Sequence, residues 1–100
     1  MQTPLQIVMQ NVPHSDALDT RIRECAAKLE QVFPRVSGCR VAVEETDRHR
    51  QQGRQFRVKV EVRAPGLGEA ASTLHSHEDV YVAVRDAFDA VHKQLEAKAK

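Results

Sequence analysis

Between Phe56 and Arg63 the chain alternates strictly: Phe56, Val58, Val60 and Val62 interleave with Arg57, Lys59, Glu61 and Arg63. A period of two with one apolar and one charged side describes a β-strand that lies on a core and shows its other side to water. Weaker runs repeat the pattern. Leu5, Ile7 and Met9 alternate with Gln6 and Gln10, and Cys39, Val41 and Val43 alternate with Arg40, Ala42 and Glu44. Ala70 to His75 reads as a fourth strand whose phase stays open, with either Leu74 or His75 facing inward. A sheet built from such strands has only one face to cover.

The cover comes from two segments with helical spacing. Leu18, Ile22, Cys25 or Ala26, Leu29 and Phe33 recur at steps of three and four, after a Ser15 suited to cap a helix and before a Pro34 that stops it. Val80, Val84, Phe88 with Ala87, Val91 and Leu95 form a second stripe. Ser76-His77-Glu78-Asp79 before it has capping-box spacing, with an acid in place of the usual partner. Glu45 to Arg54 holds no apolar residue and reads as a long solvated hairpin tip. The predicted order is β-α-β-β-β-α: an α+β, two-layer sandwich with a four-stranded mixed sheet and both helices on one face. Its first two strands are parallel, because a helix joins them.

One hundred residues fit a single domain spanning 1–100. No apolar run approaches the ~20 residues that span a bilayer. Met1-Gln2-Thr3-Pro4 lacks the basic and apolar regions of a signal peptide, so a cytoplasmic protein without membrane contact is expected. Cys25 and Cys39 then read as reduced thiols, and their spacing does not suit a metal.

No enzymatic activity, cofactor or small-molecule substrate is expected. The four glycines (Gly38, Gly53, Gly66, Gly68) stand at turns and form no phosphate loop, and no Ser or Cys carries a nucleophile signature. His75-Ser76-His77-Glu78-Asp79 has the donor types for zinc, but a capped strand-to-helix loop accounts for the same residues, and no bound ion is expected. His49, between Arg48 and Arg50, reads as part of a positive loop.

Net charge is only +1, yet residues 35–63 hold eight bases against four acids. Such a dipolar chain can dock on a phosphate surface in one orientation. At 100° per residue, Arg21 and Lys28 share one flank of the first helix. Arg85 and His92 share a flank of the second, with Lys93 nearby, and Arg48, Arg50 and Arg54 belong to the hairpin tip. Aromatic residues are few: Phe33, Phe56, Tyr81 and Phe88, three of them on or beside buried stripes. A sheet platform that stacks bases needs exposed aromatics on central strands, so RNA binding here would work through phosphates, sugars and shape.

Ala26-Ala27-Lys28-Leu29-Glu30-Gln31-Val32-Phe33, followed by Arg35-Val36, resembles the end of the first helix in the family of hibernation promoting factor and ribosome-associated inhibitor A. Glu78-Asp79-Val80-Tyr81-Val82-Ala83-Val84-Arg85-Asp86-Ala87 resembles that family's second-helix opening, and Lys93-Gln94-Leu95 its C-terminal end. The similarity spans nearly the whole chain and shares its element order.

The resemblance implies a short-form ribosome hibernation factor that acts in stress or stationary phase. It would bind the small ribosomal subunit and its rRNA in the decoding channel and so inhibit translation. It also implies binding through basic helix residues: Lys28 matches a basic family position and Lys93 occupies another. Cys25 stands where relatives often carry Lys, and Asp86, Asp89 and Ala90 weaken the patch on the second helix. Some relatives carry the label sigma-54 modulation protein. The alternative is therefore a protein-binding regulator of transcription without direct RNA binding.

Overall fold

The computed structural model describes residues 4–48 and 53–99. Its elements are β1 (Leu5–Gln10), α1 (Asp16–Val32), β2 (Gly38–Arg48), β3 (Gly53–Ala64), β4 (Glu69–His77) and α2 (Val80–Lys98). The strands lie in the sheet in chain order; β1 and β2 are parallel and the remaining pairs antiparallel.

The register explains the core. Ile7, Val41, Val60 and Thr73 form one cross-strand row, and Met9, Val43, Val58 and His75 the next. Val41, Val43, Val58 and Val60 are wholly buried. Ile22 from α1 and Val84, Val91 and Leu95 from α2 cover them and are likewise shut off from water. Burying a valine of this kind contributes on the order of 1.5 kcal/mol or more. The fourth strand's phase is settled here: Ala71 and Thr73 are buried, His75 turns inward, and Leu74 faces water. Thr73 can be buried because its hydroxyl donates to the Ala87 carbonyl of α2 at 2.9 Å. Ala83 and Ala87 keep that stretch of helix thin, so it sits close on β3 and β4.

Each helix start has a side-chain acceptor. Ser15 is extended, and its Oγ accepts the Leu18 N–H at 3.2 Å, with Asp16 and Asp19 in the positive first turn. At α2 the expected cap at Ser76 is corrected. β4 pairs with β3 as far as His77, opposite Phe56, so Ser76 is still held in the strand. Asp79 caps instead, its carboxylate accepting the Tyr81 N–H at 2.9 Å while its own N–H donates to His77 Nδ1. Each helix returns antiparallel to the strand before it, so α1 and α2 run in the same direction.

The expected loop over residues 45–54 is also corrected. Glu45, Thr46, Asp47 and Arg48 pair in register with Phe56, Gln55, Arg54 and Gly53. β1 ends opposite Glu44, and β4 ends in the row of Glu45 and Phe56. Beyond that row the hairpin continues alone, as a two-stranded arm at the end where the helices begin. Backbone pairing, aided by the Thr46 hydroxyl donating to the Gln55 carbonyl at 3.2 Å, holds this arm together. Apolar alternation therefore gave no sign of it.

At the other edge, α2 reaches back over β4. Gln94 Nε2 donates to the Ser72 carbonyl at 3.0 Å and Lys98 Nζ to the Ala70 carbonyl at 2.9 Å. The Lys98 chain lies so close to Gly68 (φ +78°) that a Cβ there would collide with it.

Both cysteines are free thiols. Cys39, 7% exposed, sits on the inner face, and burial pushes its thiol from 9.0 up to about 11. Below pH 9 both folded and unfolded states keep the proton. Between pH 9 and 11 the unfolded chain ionises first, so stability falls as pH rises, by about 1.4 kcal/mol per pH unit at most. Chemical denaturation at pH 8 and pH 10.5 should show a decline about 2 kcal/mol steeper for the native sequence than for Cys39→Val. Equal declines would mean that the Cys39 thiol ionises in the folded protein as it does in water.

Candidate functional site

The parallel helices leave a groove of about 340 Å³ between them, lined by Arg21, Glu24, Cys25 and Lys28 of α1 and by Arg85, Asp89 and His92 of α2. Leu29 and Phe88 contribute apolar walls, and Val32, 55% exposed, stands on the rim. Arg21 and Lys28 are separated by two helical turns and fall on one flank, as do Arg85 and His92. The sequence placed each pair on its own helix; the packing turns the two flanks toward each other. His92 is fixed at the far end by an edge-on contact with Phe33, ring centres 5.1 Å apart.

Acids temper the charge of the groove. Arg21 lies 4.0 Å from Glu24, and Arg85 lies 3.4 Å from Asp86. All four side chains are substantially exposed, so these pairs contribute at most about 1 kcal/mol each and are readily exchanged for other partners. Lys28 has no ion-pair partner among the described residues. Cys25 lies half-buried on the groove floor. Desolvation raises its thiol above the ordinary range, nearby Arg21 and Lys28 pull it back, and Glu24 and Asp89 add to the rise. The thiol is therefore protonated at neutral pH and adds no charge to the site.

The structure separates the other sequence candidates from this cluster. Lys93 is exposed on the outward ridge of α2, beside the groove but not lining it. Arg48 and Arg54 belong to the backbone of the arm, beyond the row in which β4 ends. Arg50 and His49 lie outside the described residues. The sheet's outer face carries Arg40, Glu44, Arg57, Lys59, Glu61 and Arg63, and its acids are shared among the bases: Arg40 and Lys59 both approach Glu61, at 3.4 and 3.7 Å, and Arg57 approaches Glu44 at 3.8 Å. Among the described residues no aromatic ring stands on that face.

His77 Nδ1 already accepts the Asp79 N–H, while His75 Nδ1 is buried without a hydrogen-bond partner. Among the described residues no group of three or more His, Cys, Asp or Glu is placed to hold a metal ion. None of the described helices is long and apolar enough to cross a membrane.

The sequence profile of the family described as sigma 54 modulation protein / S30EA ribosomal protein matches residues 5–100. No curated protein sequence matches. Among solved structures, a ribosomal subunit interface protein from Coxiella burnetii is similar at 19% identity and TM-score 0.80, covering 98% of this chain and 100% of its own. The N-terminal domain of Thermus thermophilus Protein Y is similar at 16% identity and TM-score 0.78, covering 96% and 98%. At these identities the likeness to both structures is one of fold.

The groove's balance of charge can be read on a heparin column. Asp89→Asn and Glu24→Gln remove acids beside Arg85 and Arg21 and should raise the salt needed for elution. Lys28→Gln and Arg85→Gln should lower it. Thermal midpoints should barely move, since exposed substitutions of this kind change stability by within about 0.5 kcal/mol. Elution unchanged by all four would place the polyanion contact elsewhere.

Proposed function

Because the chain belongs to the sigma 54 modulation protein / S30EA ribosomal protein family, we propose that it is a ribosome-associated factor that binds structured ribosomal RNA through the groove between α1 and α2. The observation that carries this reading is the convergence of Arg21, Lys28 and Arg85 from two helices onto one solvent-open groove. Cations so spaced suit a phosphate backbone, whose neutralisation releases counterions and dominates affinity. The shared fold with a ribosomal subunit interface protein supports the same reading.

In its finer form the proposal places the protein on the small subunit, in the decoding channel. There it would hold ribosomes idle under stress or in stationary phase. Positioning and occlusion suffice for that task, and no step of it requires catalysis or a cofactor. Lys93 on the ridge of α2, Arg48 and Arg54 of the arm, and Arg50 between them in sequence extend the contact beyond the groove. Glu24, Asp86 and Asp89 limit the net attraction, so the complex should be sensitive to salt at modest ionic strength.

Sedimentation of lysates from starved cells tests the proposal. The protein should travel with ribosomal particles at low salt and leave them at high salt. Joint replacement Lys28→Glu and Arg85→Glu should release it at low salt, and each lost phosphate contact should reduce the salt slope by about one. If that variant stays bound while a triple Arg48→Ala, Arg50→Ala, Arg54→Ala variant comes off, the arm and not the groove is the binding site. A protein found only in the soluble top fractions at low salt, or co-purifying with RNA polymerase or a sigma factor, would overturn the proposal in favour of a transcriptional regulator.

A further inference from the structure

Of the four aromatic residues, Phe33 and Phe88 are buried, Phe56 is half-buried, and Tyr81 alone is exposed, at 41%. One exposed ring is unremarkable by itself; its position is informative. Tyr81, Arg85, Phe88 and His92 stand at i, i+4, i+7 and i+11 of α2, a single stripe along the helix. The last three line the groove, so Tyr81 continues the same stripe at the groove's entrance. It is held on rigid backbone, because the Asp79 cap accepts its N–H at 2.9 Å. Its hydroxyl has no hydrogen-bond partner among the described residues.

The charge around it narrows what it can take. Asp16, Glu78 and Asp79 lie at the starts of α1 and α2, the end of the molecule where Tyr81 stands. Carboxylates there repel phosphate, whereas an uncharged base with a π-face meets no such penalty. Arg85 follows one turn later, roughly 6 Å along the axis at 1.5 Å per residue, and offers the first cation for the backbone. We propose that Tyr81 is a base-stacking residue: an unpaired base of bound RNA lies on its ring while the adjoining phosphates run along Arg85, Arg21 and Lys28. This rests on the RNA-binding reading above and deepens it, because it selects RNA with an unstacked base over continuous duplex.

The chain carries its own reporter. It has one tyrosine and no tryptophan, so near-ultraviolet emission comes from Tyr81 alone. The full-length protein would be titrated with a labelled RNA hairpin bearing an unpaired loop and, separately, with a blunt RNA duplex, following label anisotropy and tyrosine emission together. The hairpin should quench the emission as it binds. Tyr81→Ala should weaken hairpin binding about tenfold, the scale of one base–aromatic stack, while Tyr81→Phe stays within about twofold and duplex binding changes with neither. Circular dichroism should confirm that both variants keep the native fold, as expected for an exposed side chain. If the hairpin binds and Lys28→Glu weakens it, but emission and Tyr81→Ala affinity are unchanged, stacking is wrong and the groove reading stands. Equal weakening of hairpin and duplex by Tyr81→Ala would also overturn it, because Tyr81 would then contact backbone. No anisotropy change with either RNA would bring down the RNA-binding reading itself.

Discussion

Val41, Val43, Val58 and Val60 occupy the middle of the sheet's inner face, and none of them retains contact with water. They belong to the two central strands, which pair directly with one another, Val41 opposite Val60 and Val43 opposite Val58. Pairing within the sheet leaves the upper side of this four-valine patch open, so it must be covered from above. A single helix, about 10 Å wide with its side chains, is too narrow for four strands spaced about 4.8 Å apart. Two helices are needed, lying side by side. The remaining architecture follows from that requirement: a crossover helix between β1 and β2, a terminal helix after β4, and a seam between them.

That seam is where the chemistry gathers. A helix covering a sheet keeps its flanks free, and the inner flanks of two neighbouring helices must face each other. Because both helices run in the same direction, positions at equal heights come opposite one another. Arg21 and Lys28 are brought to the same groove as Arg85 and Asp89, and Phe33 meets His92 at the far end. The cationic groove is thus a by-product of covering the valines, shaped by which residues happen to occupy the flanks. The opposite face of the sheet is also rich in arginine and lysine, but it is open rather than grooved by two helices, and Arg40, Arg57 and Lys59 there each have a carboxylate within 4 Å.

Much of this was legible in the residues because period-two and period-3.6 patterns report burial directly. The element order, the parallel first pair, Ser15 as a cap and the pairing of Arg21 with Lys28 on one flank all follow from spacing. What spacing could not reveal is structure held by backbone pairing in a stretch without apolar residues. The arm formed by Thr46–Arg48 and Gly53–Gln55 rests on backbone pairing, so its polar sequence looked like a loop. The phase of β4 was hidden for a different reason. Leu74 is the more apolar candidate for the core, but Thr73 has a partner in the Ala87 carbonyl, and that bond fits the phase which turns Leu74 outward. Ser76 and Asp79 are both good caps, and only the length of β4 decides between them. The groove depends on which helix flanks meet, a fact of tertiary packing that neither helix announces alone.

The two bonds from α2 to the rim of β4 have a consequence for how this protein behaves in company. An edge strand with unpaired carbonyls is a template onto which another chain can add a strand, the route to aggregation and fibre growth. Gln94 and Lys98 occupy the outward carbonyls of Ser72 and Ala70, so a foreign strand would have to displace them first. A charged lysine laid along that rim also makes the approach of an apolar segment unfavourable. The last two turns of α2 therefore act as a guard rail as well as a lid. A folded chain at high concentration gains colloidal safety from such side chains.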